Sequence, residues 1–359
     1  MERPLLKLTQ EQEERASRLH REAVVVNVYG GPFSAPRALR EWRAGRVRDN
    51  GQWIPPVDAA VKTHLVPDLR AGGVDCIVAA AGSLDDVALW LRELQESAPV
   101  AILAMVATDV WQAKESGLVA FVLGGSGAPA PGVEEALNVL LLYHRAGVRI
   151  WSLTHSARNL ISDGCGEETN AGLSHFGRLF VQELNRQRIL IDISHISDAG
   201  FWDVIEVSAA PIIATHSNCR NLCRHGRNLT DDMIRALGEN GGMVALNFFP
   251  SFVRADEPTV EDLIDHVDHI SALIGPERVG LGPDFCAGQW EFVLRSWWKR
   301  GSADHNARRL SLTYPVGVED ITQMPNVTRA LVGRGYSDRE IKGILGENFL
   351  RLFAEVIGA

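Results

Sequence analysis

Cysteine is sparse in this chain, and long apolar runs and excess positive charge are absent. Its 359 residues include five cysteines, Cys76, Cys165, Cys219, Cys223 and Cys286. That odd, scattered set excludes a disulfide framework and fits reduced thiols in a cytosol. No uninterrupted apolar stretch is long enough to span a bilayer. The first residues, Met1 to Arg15, are too charged for a signal peptide. A cytoplasmic protein with no membrane partner is therefore expected. The net charge of −9 and pI near 5.7 also argue against a nucleic-acid partner. What remains is an ordinary soluble composition, 46% hydrophobic and 23% charged, which suits one large barrel or two small domains.

Apolar, strand-like runs alternate with helical patterns along nearly the whole length. Strands are expected near Val24–Val28, Val74–Ala80, Val100–Val106, Leu118–Leu123, Val148–Leu153, Leu190–Ser194, Ile212–Thr215, Met243–Phe248 and Val279–Gly282. Their apolar residues run on rather than alternate, as in a parallel sheet covered by helices on one face and packed on the other. The expected fold is α/β, a (β/α)₈ barrel, with one surplus element among nine candidates. Phe176, Leu179, Phe180 and Leu184 fall on one face of a helical pattern. Ser337 to Glu340 reads as a capping box opening extra C-terminal helices. No composition break divides the chain, so residues 1–359 are taken as one domain. The long stretch 286–325, with Trp290, Trp297 and Trp298, follows the last strand and is a candidate lid; a surface excursion or an oligomer contact, such as a dimer's, explains it equally.

Two runs carry chemistry. Ile189-Leu-Ile-Asp-Ile-Ser-His195 and Pro211-Ile-Ile-Ala-Thr-His216 are short β-branched strands, each ending in histidine, one helix apart. Histidines at the carboxyl ends of successive parallel strands face the mouth of a barrel, and neutral imidazole is a common metal ligand. Two satisfied buried histidines would be the blander explanation.

These strings resemble the membrane dipeptidase (renal dipeptidase) family of zinc peptidases. The likeness is dense from Gly147-Val-Arg-Ile-Trp-Ser-Leu-Thr-His155 through Ile191-Asp-Ile-Ser-His195, Ala210-Pro-Ile-Ile-Ala-Thr-His-Ser217 and Arg227-Asn-Leu-Thr-Asp-Asp232. It continues in Val279-Gly-Leu-Gly-Pro-Asp-Phe285 and Ile344-Leu-Gly-Glu-Asn-Phe349. The resemblance implies a barrel of the amidohydrolase type, with two zinc ions at its mouth sharing a hydroxide that attacks a dipeptide carbonyl. By that likeness His195 and His216 bind one metal, and His155 steadies the tetrahedral intermediate. Arg227 holds the substrate carboxylate, and Asp284 relays protons.

The chain departs from this pattern at the other metal. Tyr29 and Gly31 stand at the His-x-Asp positions of the first strand, and Ser126 stands where a glutamate would bridge the ions. Phe249 replaces a tyrosine near the substrate, and Cys286 replaces an acid two residues beyond Asp284. A two-metal mechanism is therefore not expected. One divalent ion, zinc first, remains expected on His195 and His216. Asp284 is the first choice for a third ligand and His155 the second, unless the site holds no metal. Tyr29, Ser126, Phe249 and Cys286 are then candidate substrate contacts. Cys286 could also be a soft ligand, a nucleophile or simple filling. Arg227 offers a planar fork for a carboxylate, against the competing role of fixing a loop through Asp231. Arg220, Arg224 and His225 either enrich the site in positive charge or form a solvated loop. Cys219 and Cys223 with His225 lack the second ligand pair of a zinc finger. Asp192 faces away from His195 or supports it from behind. Three functions stay open: a one-metal hydrolase of a small dipeptide-like carboxylate, a lyase, isomerase or tautomerase on a similar substrate, and a metal-free relative without catalysis.

Overall fold

A computed structural model describes residues 6–30, 39–40, 43–45, 48–49, 52–53, 58–285 and 314–358. Strands β1 (Val26–Asn27), β4 (Cys76–Ala80), β5 (Ala101–Leu103), β6 (Val119–Ser126), β7 (Val148–Ser152), β8 (Leu190–Asp192), β9 (Ile213–Ala214), β10 (Met243–Leu246) and β11 (Val279–Leu281) form one parallel sheet. Two-residue strands β2 (Arg48–Asp49) and β3 (Gln52–Trp53) pair separately as a hairpin. The sheet order β1-β4-β6-β7-β8-β9-β10-β11 is an eight-strand path. Its ends meet where Val28 N–H donates to the Leu281 carbonyl at 2.8 Å. The expected (β/α)₈ barrel is the fold.

The surplus ninth strand is β5, which pairs only with β6, off the closed path. It lies against the first half of β6, and β7 takes over from Leu123 onward across a register shift. The run expected at Leu118–Leu123 extends to Ser126. Glycine weakens a strand interior, so Gly124 and Gly125 look like its end. At Gly125 the strand needs glycine for a packing reason: a Cβ there would lie 2.2 Å from the Trp151 ring.

Along β4 the side chains alternate between two apolar clusters. Cys76 and Val78 join Val26, Val122, Ile150, Leu190, Ile213 and Met243 inside the barrel, while Ile77 and Ala79 face the surrounding helices. Both faces are buried, which is why the strands read as continuous apolar runs. The capping box forms: Ser337 Oγ accepts from Glu340 N–H at 3.3 Å, and Ser337 N–H donates to Glu340 Oε2 at 2.8 Å. The helix Asn348–Ile357 that follows places Phe349 and Phe353 in the interior cluster, where they close the bottom of the barrel. In the helix His175–Arg186 the buried side chains are Phe176, Phe180, Val181 and Leu184. Leu179 is 37% exposed, contrary to its expected place on the apolar face. Val181 and Gly177 centre the buried arc on the opposite flank, and Leu179 falls outside it. The candidate lid lies outside the described residues from 286 to 313. Where the chain resumes, buried Tyr314 packs edge-on against Phe285 and donates to the Asp284 carbonyl at 2.6 Å.

Candidate active site

The strand ends deliver the expected residues to the mouth. Tyr29 follows β1, Ser126 ends β6, and His155, His195, His216, Phe249 and Asp284 each follow β7 to β11 in order within three residues. Four rings form one stack. Tyr29 lies flat on His216 (centroids 3.8 Å, 7° between planes), His216 is tilted against His195 (4.9 Å, 58°), and His195 is stacked on His155 (4.1 Å, 25°). His155 is exposed at the rim and His216 is buried.

Both strand-end imidazoles are held neutral: burial lowers their pKa values well below the usual histidine range, and the Arg227 charge adds to it. A hydroxyl bonds the Nδ1 atom of each, Thr215 Oγ1 at 2.7 Å to His216 and Ser156 Oγ at 3.3 Å to His195. The buried Nε2 of His216 has no hydrogen-bond partner. An imidazole fixed through Nδ1 with Nε2 left over has the tautomer and aim of a metal ligand or a base.

Asp192 settles its own ambiguity. Its fully buried carboxylate accepts from the N–H of Ser194 and of Thr215, both at 2.9 Å on Oδ1, and from the Ser152 hydroxyl on Oδ2. It ties the ends of β7, β8 and β9 together, bonding the residue just before His195 and the residue just before His216. Arg227 is 4% exposed, and its expected alternative partner, Asp231, bonds His269 instead. Its Nη atoms donate to Ser217 Oγ at 3.0 Å and to the His216 carbonyl at 2.7 Å, while Nε has no partner. Burial lowers its pKa, opposed by Cys165 and Asp284 nearby.

Asp284 adopts φ +57° and His195 φ +70°, left-handed conformations that are uncommon for residues other than glycine and cluster at functional sites. Gly30, at φ +76°, lets the first strand's turn pass this point, since a Cβ there would stand 2.7 Å from Asp284 Cα. Burial raises the Asp284 pKa to about 6, against the lowering effects of Arg227 and of the Asn247 side chain. Asn247 Nδ2 donates to Asp284 Oδ2 at 3.3 Å and to the His216 carbonyl at 3.4 Å.

Some expected contacts resolve otherwise. Phe249 is buried and stacks on Phe252 (4.8 Å). Arg220 is consumed by Asp198 in a two-pronged pair at 2.6 and 2.7 Å, and Arg224 is exposed; neither enriches the site in charge. Cys219 and Cys223 are buried, the first donating its backbone N–H to His266, the second its thiol to the Ser251 carbonyl. Gly31 and Cys286 lie outside the described residues. Residues given no role from sequence are the asparagines below the rim. Asn27 accepts from Tyr29 N–H at 3.1 Å and donates to the Gly30 carbonyl. Asn247 accepts from Phe249 N–H at 2.6 Å, and Asn218 clamps Asn247 from both sides. A buried asparagine directly after an apolar strand was the available signal.

The donor set does not fit two metal ions. Tyr29 and Ser126 offer no usual zinc ligand, and the Tyr29 ring covers one face of His216. Among the described residues no three His, Cys, Asp or Glu side chains gather at metal-binding distance. Asp284 therefore does not complete a three-ligand group with His195 and His216 in this geometry. The two imidazoles, with His216 Nε2 orphaned, fit a single ion with the remaining positions left to water or substrate.

A parallel barrel with a histidine- and carboxylate-lined mouth defines the class, that of amidohydrolase-like enzymes. The profile described as membrane dipeptidase (peptidase family M19) matches residues 83–294 and 311–358, and the chain belongs to that family of metal-dependent hydrolases. It is 34% identical to the dipeptidase tcpJ of Claviceps purpurea over 258 residues, 71% of this chain and 55% of that protein. The chain thus spans about half the length of the curated relatives it matches. Among solved structures, an amidohydrolase from Pseudomonas aeruginosa superposes with a TM-score of 0.81 at 23% identity, covering 96% of this chain and 99% of that one. The metallopeptidase dipeptidase AC follows at 0.75 and 25%, covering 94% and 99%. No helix among the described residues is long and apolar enough to cross a membrane.

Proposed function

We propose that this chain hydrolyses a C–N bond in a small, dipeptide-like carboxylate, using at most one divalent ion held by His195 and His216. Two orphaned buried atoms in one site, His216 Nε2 and Arg227 Nε, carry the reading. Buried polar atoms are nearly always partnered, so a pair of exceptions at a barrel mouth points to a missing ligand with both an electron-pair acceptor and an anionic end. A bound ion would polarise the scissile carbonyl or lower the pKa of water. Arg227 supplies the fork for the carboxylate. Asp284, titrating near pH 6, can hold or release a proton close to neutrality. His155, at the rim on the His195 ring, is placed to donate to charge developing above the stack.

Elemental analysis of the purified chain, with mass analysis of products from a dipeptide panel, tests this. About one ion per chain and free amino acids are expected. Replacing both His195→Ala and His216→Ala should remove the ion and lower turnover about 10³-fold. Products of unchanged mass would turn the reading toward isomerisation, and two ions per chain would sink the one-metal assignment.

A further inference from the structure

A hollow opens inside the mouth beside the histidines, lined by Tyr29, Val78, Ala80, Gly124, Ser126 and Ile150, with Ser152 and Thr215 on its floor. We propose that it is the specificity pocket of this site and takes a small uncharged apolar group of the substrate in preference to a free ammonium. The proposal rests on the reading above, in that the substrate's carboxylate is taken to lie at Arg227.

By the resemblance drawn from sequence, Tyr29 and Ser126 replace ligands of a metal ion, and both line this hollow. Among the described residues no charged side chain lines it. The buried acid Asp192 turns its oxygens to Ser194 N–H, Thr215 N–H and the Ser152 hydroxyl, and Asp86, near Ser126, is paired with Arg40. Thr215 Oγ1 is taken by His216 Nδ1. The polar floor is thus engaged with the protein, and what faces the space is mainly Val78, Ala80, Ile150 and the Tyr29 ring. An ammonium placed here would shed its water without gaining a counter-charge, a costly exchange, and Arg227 would repel it. A methyl or short alkyl end loses nothing and gains apolar contact. Gly124 leaves the space open: a Cβ there would meet Val78 Cγ1 at 3.4 Å and two backbone carbonyl oxygens at 3.9 Å, ordinary contacts that let a side chain enter the hollow.

The test is calorimetric titration of the full chain with hexanoate and 5-aminopentanoate, which share a carboxylate and a chain length and differ in a terminal methyl or ammonium. Neither has a bond to hydrolyse, so binding is read without turnover. Hexanoate should bind at least about tenfold more tightly. Gly124→Val should abolish that advantage, and Gly124→Ala, the gentler change, should reduce it. Ser126→Asp, at an exposed position that does not threaten folding, should shift preference toward 5-aminopentanoate. Equal or tighter binding of 5-aminopentanoate by the unmodified chain, or no effect of either Gly124 variant, overturns the pocket assignment. The Arg227 reading fails separately if Arg227→Gln leaves hexanoate binding unchanged; if neither compound binds, both fall.

Discussion

The two sides of the barrel mouth have been treated differently. On the side of β8 and β9, the groups that support the histidines are polar and engaged: Asp192 holds the strand-end amides, hydroxyls hold the Nδ1 atoms, and Arg227 holds the His216 carbonyl. On the side of β1 and β6, a tyrosine ring, two glycines and an exposed serine stand instead. Yet both sides belong to one parallel sheet, which absorbs a register shift where β7 joins β6. Strand ends can therefore carry quite different side chains on the two sides without disturbing the barrel, because backbone pairing carries the strands and only the tips of the side chains line the mouth. The β8 and β9 side stays polar because its buried groups depend on one another; the β1 and β6 side is filled by a ring or left open.

That dependence can be broken most severely at Asp192. Asp192→Ala leaves two strand amides and the Ser152 hydroxyl without an acceptor in a fully buried place, and should cost about 4 kcal/mol of stability. Asp192→Asn keeps a carbonyl oxygen for the amides and should recover about half of that loss. Denaturant melts of the two variants read the difference. If the alanine variant melts like the parent, the polar half is not held together in this way.

On the β1 and β6 side the matching break is Gly125→Ala. The added methyl meets the six-membered ring of Trp151, which cannot retreat. Its Nε1 donates to the Gly127 carbonyl at 2.9 Å, and it packs edge-to-face with Tyr143 and Phe180. The expected loss is about 2 kcal/mol. Gly124→Ala, one residue away and facing inward, should cost clearly less. Equal losses from the two would mean that the strand tolerates neither change for backbone reasons, and the inside–outside distinction drawn for β6 would be lost.

Much of the barrel was legible because its strands are buried on both faces and so write themselves as apolar runs. The surplus strand β5 was not separable, since a strand on the path and one beside it bury the same residue types. The end of β6 was hidden by glycines that a close tryptophan demands. At the site, His195, His216 and His155 were placed by their positions after strands, and the ring stack follows from that placement. The missing part was the support: Asn27 and Asn247 hold the turns that directly follow their own strands, a local signal left unused, whereas the Asn218–Asn247 clamp joins groups brought near only by folding. Asp284 stands after β11 as read, and the hydrogen bond its carboxylate accepts from Asn247 had no signal in the spacing.

Asp284 sits at the seam between the two sides and gives the smallest and most diagnostic effect. Its folded pKa of about 6 lies above the ordinary carboxylate value of 3.8, so the folded chain binds this proton more tightly than the unfolded chain does. Protonation then favours the fold, and the residue's contribution to stability falls as pH rises from about 4 to about 6. Above that window the buried charge is a full liability. Asp284→Asn removes the charge and keeps an acceptor, so it should stabilise the chelator-treated protein by on the order of 1–2 kcal/mol at pH 7, with the gain vanishing below about pH 4. Turnover should fall in the same variant. Such opposition is what a strained acid kept for chemistry produces. A gain that persists unchanged at low pH would assign the effect to packing, and Asp284 would then belong with the filled side of the mouth.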